Sequence, residues 1–213
     1  MKKRRPGAGR TSSLITHRSD LRSSLITHPS DLRKAVFLDR DDTIIADMVF
    51  STDCAGLRPL PGALEALRRL QDAGYLLIVI TNQSGVARGR FSEESLRGFH
   101  AHLLRRLEQG GVRLAGIYYC PHYAEGTAAE YAFACDCRKP KPGMLLRAAR
   151  ELGVDLKKSW MVGDRPADIG AGRAAGCRTI RVGNADWGES DAPADFETSD
   201  LSGAAETILR TGN

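Results

Sequence analysis

At residues 35–43 the chain reads Ala35-Val36-Phe37-Leu38-Asp39-Arg40-Asp41-Asp42-Thr43. The apolar half of this stretch predicts a short buried strand, and the acidic half predicts a turn at its end. Because alternate residues of an extended segment point the same way, Asp39 and Asp41 can face one site. Two carboxylates that close repel each other unless a cation lies between them or one binds a proton. The stretch therefore predicts either a carboxylate site that holds Mg2+ or an acidic turn on the surface.

The rest of the chain alternates apolar runs with amphipathic segments. The apolar runs predict strands, which are expected at 76–80, 114–120, 159–164 and 178–182. The amphipathic segments predict helices, which are expected at 61–74, 92–109, 143–152, 169–175 and 201–210. Apolar strands that alternate with helices are typical of a parallel sheet covered by helices on both faces. The predicted fold is therefore an α/β domain with a Rossmann-like parallel sheet.

Four polar residues lie at or soon after the ends of these predicted strands or in the loops that follow them: Asp39, Thr81, Lys139 and Asp164. In parallel sheets, ligands bind beyond the carboxyl ends of the strands. We therefore expect side chains more than a hundred residues apart in sequence to meet at one edge of the sheet.

Charge is divided unevenly along the 213 residues. Residues 1–34 contain nine Lys or Arg and two acids, so this segment carries +7 and the rest of the chain −2. An 11-residue unit is written twice within it, as Ser12–Arg22 and Ser23–Arg33 with one substitution. This duplication is too short for a repeat fold. We expect a disordered basic tail at 1–34 and a folded domain at 35–213.

Several classes of protein are not favoured by the composition. No apolar run approaches the roughly 18 residues of a membrane helix, and the N-terminus lacks the apolar part of a secretory signal. Outside the tail the chain is mildly acidic, and aromatic residues make up 6% of the whole. We therefore expect a cytoplasmic protein with no membrane partner and no nucleic-acid partner, and we expect a monomer.

Three of the five cysteines cluster with a histidine. The pair Cys120 and His122 and the pair Cys135 and Cys137 are separated by twelve residues. Three thiolates and one imidazole form a closed tetrahedral set for Zn2+, with no open position for water. The alternative is a group of free cysteines in a core, but the segment between the pairs is polar and rich in Gly and Ala. The spacing thus favours a structural zinc site in a reducing compartment.

Four motifs taken together resemble those of the haloacid dehalogenase superfamily. In chain order they are Asp39-x-Asp41-x-Thr43, Thr81 after an apolar strand, Lys139-Pro140, and Gly163-Asp164 with Asp168. Two further segments are similar to the branch that contains the heptose bisphosphate and histidinol phosphatases. These segments are Thr81–Gly89 and the Cys/His stretch Cys120–Pro140. In that branch, short loops, one of them tied by zinc, replace a cap domain.

The resemblance implies a phosphatase that works through an aspartyl-phosphate. Asp39 would be the nucleophile, and Asp41 would protonate the leaving oxygen and then activate water. Thr81 would donate a hydrogen bond to the phosphoryl group, and Lys139 would supply positive charge to it. Catalytic Mg2+ would be held by Asp39, Asp164 and the backbone carbonyl of Asp41. Asp168 would either orient Lys139 or be a plain helix-face carboxylate.

The resemblance also implies a small phosphorylated sugar as substrate. Arg138 and Arg165 are candidates for a second phosphate, because a planar guanidinium matches two phosphate oxygens. Asn82 and Ser84 are candidates to position the sugar. Arg165 has an alternative interpretation as a surface cap of a helix. The best-fitting substrate is D-glycero-D-manno-heptose 1,7-bisphosphate, converted to heptose 1-phosphate in lipopolysaccharide precursor biosynthesis.

Two departures from the family pattern leave other functions open. Asp42 stands where glycine is common, and the loop 47–54 does not match the heptose enzymes well. Histidinol phosphate or another small phosphate monoester is therefore an alternative substrate. Two less favoured interpretations are a nucleic-acid 3′-phosphatase and a non-catalytic zinc-binding module.

Overall fold

A computed structural model describes the backbone of residues 14–15 and the whole of residues 32–184 and 193–212. Most of the predicted tail, with nearly all of its repeat, lies outside the described residues. Arg33 already belongs to the fold, because its amide donates to Gly153 O and its carbonyl accepts from Asp155 N, both at 2.9 Å. Contacts of the folded domain therefore include a residue before the predicted boundary at residue 35.

Seven strands form one sheet: β1 (Leu14–Ile15), β2 (Ala35–Leu38), β3 (Leu76–Asn82), β4 (Leu114–Cys120), β5 (Trp160–Gly163), β6 (Arg178–Val182) and β7 (Phe196–Thr198). Their order is β1-β4-β3-β2-β5-β6-β7. All neighbouring pairs are parallel except β1 with β4. The sequence did not predict β1, because it has two residues, or β7, because it lacks an apolar run.

Five α-helices in the described ranges connect or follow the strands: α1 (Ala63–Asp72), α2 (Glu93–Gln109), α3 (Gly143–Leu152), α4 (Pro166–Ala175) and α5 (Leu201–Thr211). α2 begins where predicted, because the Ser92 side chain accepts from Ser95 N at 3.0 Å and caps the first turn. α4 begins three residues earlier than predicted. Proline fits the first position of a helix, so Pro166 starts α4 rather than preventing it. No helix in the described ranges has the length and apolar character needed to cross a bilayer.

The central strand β2 shows why both faces of the sheet are covered. Val36 and Leu38 face the core formed with α1, α2 and α5, whereas Ala35 and Phe37 face the core formed with α3 and α4. All four side chains are fully buried. Alternate residues of a strand point to opposite faces, so an unbroken apolar strand needs a helix layer on each side. The predicted doubly covered parallel sheet is confirmed.

The strand order also fixes where a ligand can bind. From β2 the chain builds β3 and β4 on one side, and it then crosses to build β5, β6 and β7 on the other. A crevice forms beyond the carboxyl ends of the strands where the order reverses, which here is between β2 and β5. Between β4 and α3, residues 121–142 contain no helix or strand. This short segment stands where a cap would be and matches the predicted minimal cap.

Candidate active site

A buried lysine joins two carboxylates at the carboxyl end of β2. Lys139 Nζ donates to Asp39 Oδ1 at 2.6 Å and to the carbonyl of Ile80 at 2.7 Å. It also lies 2.5 Å from Asp168 Oδ1. Burial opposes the charge of this lysine, but the Asp168 and Asp39 carboxylates outweigh burial and raise the pKa of Lys139. Asp168 therefore pairs with Lys139 and is not a plain helix-face carboxylate.

Three carboxylates converge beside that lysine. Asp39 follows β2, Asp164 follows β5 and Asp168 lies in the first turn of α4, and their oxygens lie within 4.8 Å of one another. Burial and the Asp39 charge raise the pKa of Asp164 to about 7, and burial raises the pKa of Asp168 to about 6. Asp164 Oδ1 is buried and has no hydrogen-bond partner among the described residues. Clustered carboxylate oxygens with an unpaired member fit a hard divalent cation such as Mg2+.

Asp41 faces a different set of partners. Arg40 Nε donates to Asp41 Oδ1 at 3.0 Å, and Arg40 Nη2 donates to Oδ2 at 2.9 Å. Gln83 Nε2 donates both to Asp41 Oδ2 and to Thr81 Oγ1, each at 3.0 Å. Burial raises the pKa of Asp41, although the Arg40 charge opposes this. The Asp41 side chain is not part of the carboxylate cluster, and its predicted metal ligand, the backbone carbonyl, stays a prediction.

The turn after Asp41 accommodates aspartate at the position where glycine is common in the family. Asp42 adopts a left-handed conformation with φ 54°, which favours glycine. Aspartate is among the few other residues that tolerate this region. Its Oδ1 accepts from Asp47 N at 3.0 Å, which adds a local hydrogen bond. The departure from the family pattern is thus compatible with the turn.

The predicted catalytic and substrate-binding side chains line one cavity of about 290 Å³: Asp39, Asp41, Thr81, Asn82, Ser84, Arg138, Lys139 and Arg165. Asn82 has a further contact that the sequence did not predict. Its Nδ2 donates to Lys139 O, and its Oδ1 accepts from Lys139 N, each at 3.1 Å. The amide of Asn82 thus fixes the backbone of the residue that carries the buried ammonium group.

Arg165 caps a helix and also lines the cavity, while its predicted role in binding a second phosphate stays a prediction. It is the N-cap residue of α4, and its backbone N donates to Asp168 Oδ2 at 3.0 Å. Its guanidinium lies 3.5 Å from Asp164 Oδ2 and 3.6 Å from Asp47 Oδ2. The side chain therefore reaches the cavity from the helix that it caps.

The loop opposite α4 presents apolar side chains at the same rim. Val49 and Phe50 line the cavity and have φ values of 42° and 58°. Val49 is 76% exposed and Phe50 is 49% exposed. A β-branched residue rarely adopts a positive φ, so this rim holds backbone strain beside the cavity.

The predicted cysteine and histidine ligands also come together. Cys137 Sγ lies 3.2 Å from both Cys120 Sγ and Cys135 Sγ, and His122 Nδ1 lies 3.3 Å from Cys137 Sγ. Four ligands on a tetrahedral Zn2+ with bonds of about 2.3 Å are about 3.8 Å apart, close to this spacing. Hydrogen bonding to Cys120 and burial raise the pKa of Cys137, a cost that a bound cation removes. By its donor set and spacing the cluster could hold a metal ion.

This cluster is connected to the cavity through Arg138. Arg138 follows Cys137 directly, its Nη1 donates to the carbonyl of His122 at 3.4 Å, and its guanidinium lies 5.2 Å from the ring centre of Tyr123. Gly143, the first residue of α3, donates from its backbone N to Asp136 O at 3.1 Å. A side chain at position 143 would overlap that carbonyl. The loop that carries the cluster is thus packed directly against α3.

Comparison with known proteins agrees with this geometry. A family model described as HAD-hydrolase-like matches residues 136–204. The chain is 40% identical over 177 residues to D-glycero-beta-D-manno-heptose-1,7-bisphosphate 7-phosphatase from Yersinia pestis, which covers 82% of this chain and 94% of the relative. The chain belongs to the heptose-bisphosphate phosphatase family of haloacid dehalogenase hydrolases. The relative of the same name from Haemophilus ducreyi is 44% identical over 171 residues, with 78% of this chain and 93% of the relative covered.

Solved structures of the family have the same fold. D,D-heptose 1,7-bisphosphate phosphatase from B. bronchiseptica, complexed with magnesium and phosphate, superposes with a TM-score of 0.71 at 33% identity. The superposition covers 83% of this chain and 98% of that one. A HAD-like phosphatase from Mesorhizobium loti gives a TM-score of 0.73 at 32% identity, with 83% and 88% covered. The predicted family is confirmed.

Sequence reasoning missed two residues of the site, Arg40 and Gln83. Arg40 lies between two aspartates, and the alternation of side chains along a strand predicts that it points away from them. Instead the guanidinium folds back onto Asp41. Gln83 lies in the segment Thr81–Gly89, which supports the family resemblance. That resemblance did not predict its hydrogen bond to Asp41.

Proposed function

We propose that this protein is a Mg2+-dependent phosphatase that removes the 7-phosphate of D-glycero-D-manno-heptose 1,7-bisphosphate and leaves heptose 1-phosphate. The names of the curated relatives support this substrate. The observation that carries the proposal is the buried contact of Lys139 with Asp39 and Asp168, beside Asp164. It supplies a nucleophile, a cation and a metal site at the edge of the sheet where ligands bind.

The reaction follows from the positions of these groups. The Asp39 carboxylate attacks phosphorus as the bond from phosphorus to the sugar oxygen breaks, and Asp41 gives its proton to that oxygen. Asp41 then takes a proton from water, which attacks the aspartyl-phosphate, releases phosphate and restores Asp39. Lys139 and the Thr81 hydroxyl stabilise charge on the transferring group.

Asp39, Asp164 and the backbone carbonyl of Asp41 would hold Mg2+ in this proposal. When bound, the ion would reduce the repulsion between the anionic nucleophile and the anionic phosphate. The unpaired Asp164 Oδ1 supports this assignment, because a buried carboxylate oxygen without a donor needs a cation nearby. Asp168 has a different task in the proposal, since its ion pair keeps Lys139 charged and in place.

Arg138 and Arg165 would bind the phosphate at the other end of the substrate. Both line the cavity, and they extend from different elements, the Cys/His loop and α4. Arg165 lies near Asp47 and Asp164, so a bound phosphate would compete with these carboxylates for the guanidinium. Ser84 lines the same cavity and would contact the sugar. Asn82 would also contact it, through the amide hydrogen-bonding positions that the Lys139 backbone leaves unused.

A structural Zn2+ would bind Cys120, His122, Cys135 and Cys137. The donor set has no open position, so the ion would hold the loop from which Arg138 extends rather than take part in the reaction. Thiolate ligands persist in reducing surroundings, which supports a cytoplasmic location. We also propose that the protein acts as a monomer.

The test is a phosphate-release assay of the purified protein with saturating Mg2+. The substrates are both anomers of heptose 1,7-bisphosphate, fructose 1,6-bisphosphate and histidinol phosphate. We expect kcat/KM for one heptose anomer to exceed that for histidinol phosphate by at least about 100-fold, because Arg138 and Arg165 have no second phosphate to bind in histidinol phosphate. A preference for histidinol phosphate would contradict the substrate, and no release from any of them would contradict the activity.

A further inference from the structure

Behind Asp41 lies a buried pair of basic side chains that the mechanism does not use. Arg40 is 3% exposed and His100, from α2, is fully buried. Arg40 Nη1 lies 3.0 Å from His100 Nε2. A guanidinium can only donate, so Nε2 is the acceptor and His100 is neutral with its proton on Nδ1. Burial and the Arg40 charge likewise hold the pKa of His100 well below its usual range.

The packing of His100 does not by itself require a polar ring. Its ring lies against Tyr119 of β4, with centroids 5.2 Å apart, and beside Phe99, whose ring contacts the Arg40 guanidinium at 5.0 Å. Its Nδ1 is buried and has no hydrogen-bond partner among the described residues. An unpaired buried N–H is destabilising, and an apolar side chain of similar size would avoid that cost. Within the described part of the chain, the contact with Arg40 is the polar interaction that accounts for a histidine here.

The donors that the described residues place around Asp41 leave a single position for its proton. A carboxylate has about four lone-pair positions. Arg40 Nε occupies one position on Oδ1, while Arg40 Nη2 and Gln83 Nε2 occupy both positions on Oδ2. The remaining position is the second lone pair of Oδ1. Because Asp41 lines the cavity, the proton that it transfers would leave from this oxygen.

We propose that His100 and Arg40 are positioning residues for the acid–base carboxylate: His100 fixes the Arg40 guanidinium, and Arg40 orients Asp41 so that Oδ1 carries the proton toward the leaving oxygen. The proposal rests on the proposed function, because it takes Asp41 as the general acid. Without an acceptor at Nε2, the buried Nη1 of Arg40 would lose its partner. The guanidinium would then turn, and the hydrogen bonds that fix Asp41 would change with it.

The experiment compares two kinds of leaving group. A sugar phosphate needs a proton on its leaving oxygen, whereas p-nitrophenyl phosphate releases a stable anion and does not. The kcat/KM value covers the steps up to aspartyl-phosphate formation, so it isolates the acid role. For His100→Leu we expect kcat/KM to fall at least about tenfold on the sugar phosphate and less than about threefold on the aryl phosphate. His100→Gln, whose side-chain oxygen can accept from Arg40, should stay within about threefold of wild type on both.

Two further variants keep the result decisive. Leu107→Ala changes a fully buried residue two turns farther along α2, so its effect on the two substrates should be equal. An equal loss on both substrates in His100→Leu, or no loss on either, would overturn the proposal. If His100→Leu does not fold, Arg40→Lys decides by the same criterion, because lysine keeps the charge and loses the two-pronged contact with Asp41.

Asp41→Asn separates this proposal from the proposed function. If Asp41→Asn loses the sugar phosphate selectively and the His100 and Arg40 variants do not, only the positioning role is wrong. If Asp41→Asn shows no selectivity between the leaving groups, the acid role in the proposed function is wrong as well.

Discussion

The two candidate metal sites of this protein are built in opposite ways. Asp39 and Asp164 follow directly after central strands, and Asp168 lies in the first turn of a helix. The amide of Asp39 donates to Val162 O at 2.9 Å, which continues the pairing of β2 with β5 up to the site. In the Cys/His cluster, only Cys120 belongs to a strand, and the other ligands come from residues 121–142.

The difference shows what holds each set of ligands together. The strands of the sheet fix the backbone of Asp39 and Asp164, so we expect this site to keep its shape without an ion even though its carboxylates repel one another. Three of the four ligands in the Cys/His cluster lie in a loop with no helix or strand of its own, so we expect a bound ion to contribute more to their placement there. Changes at the first site should affect the reaction before the fold, and changes at the second should affect the local structure first.

The largest effect is expected for Asp39→Asn. An amide is a poor nucleophile, so kcat should fall by at least about 10⁴-fold. The unfolding temperature without Mg2+ should be unchanged or higher, because one charge that repels Asp164 and Asp168 is removed. Phosphate release and thermal unfolding of the same sample provide the test. Asp72→Asn, an exposed acid at the end of α1, is the matched control and should change neither. A marked fall in unfolding temperature would contradict the view that the sheet holds the site.

Gly163→Ala should give the next largest effect. A Cβ at this last residue of β5 would overlap the Asp168 carboxyl group, so Asp168 must move away from Lys139. A displacement of about 1 Å at a catalytic group can reduce the rate about 100-fold, and we expect a loss of that order in kcat. Gly98→Ala is the matched control, because nothing lies within 4 Å of a Cβ at this α2 position. The control should keep its activity and gain up to about 1 kcal/mol of stability. Equal behaviour of the two variants would show that Asp168 is not needed where it lies.

Loss of zinc should act on substrate binding more than on the chemical step. Lys139 has partners outside the cluster, namely Asn82 and two carboxylates. The Arg138 side chain instead donates to His122 O, within the cluster, and its guanidinium lies near the Tyr123 ring. With Mg2+ saturating, Cys137→Ser should raise KM for the bisphosphate about tenfold and lower kcat less than about threefold.

Metal content and steady-state kinetics measured together provide the check on zinc. Cys54→Ser changes a half-buried cysteine outside the cluster and should keep the wild-type zinc content and KM. Unchanged kcat and KM in Cys137→Ser, after proven loss of zinc, would refute a role for the ion in holding Arg138.

The smallest expected effect is the stabilisation of the fold by Mg2+. The raised pKa values of Asp164, about 7, and Asp168, about 6, mean that protons stabilise the metal-free fold at low pH. That stabilisation is lost as pH rises through about 6 to 7, and Mg2+ would take the place of the protons there. Saturating Mg2+ should therefore raise the unfolding temperature by about 5 °C at pH 8 and by clearly less at pH 6. A larger increase at pH 6, or the same increase in Asp164→Asn, would contradict the assignment of the metal site.

The fold was largely predictable because the pattern of apolar residues that specifies each central strand lies within that strand. Each central strand is an unbroken apolar run, and such runs are buried whatever surrounds them. The edge strand β7 was missed since its residues, Phe196-Glu197-Thr198, include only one apolar side chain. Its pairing with β6 is a property of the folded sheet and not of its own sequence.

Site residues that lie in short sequence motifs could be predicted. Contacts between residues far apart in sequence could not. The aspartates, Lys139 and the cysteines all lie in short motifs. By contrast, His100 lies 60 residues after Arg40 in an amphipathic helix, where a buried histidine looks like part of the apolar face. The two contacts of Asn82 with the Lys139 backbone likewise join distant segments. No local pattern contains that information.

A designer who transplants this carboxylate cluster onto another parallel sheet must also keep position 163 without a side chain, because the Asp168 carboxyl group occupies that space. The acids and the lysine can be copied as residues, but at position 163 the important property is that glycine has no Cβ. A sequence-design procedure that fills this strand end with valine, as β propensity recommends, would preserve every named ligand and still force the Asp168 carboxyl away from the lysine. Glycine at that strand end should therefore be specified from the start, together with the four charged residues.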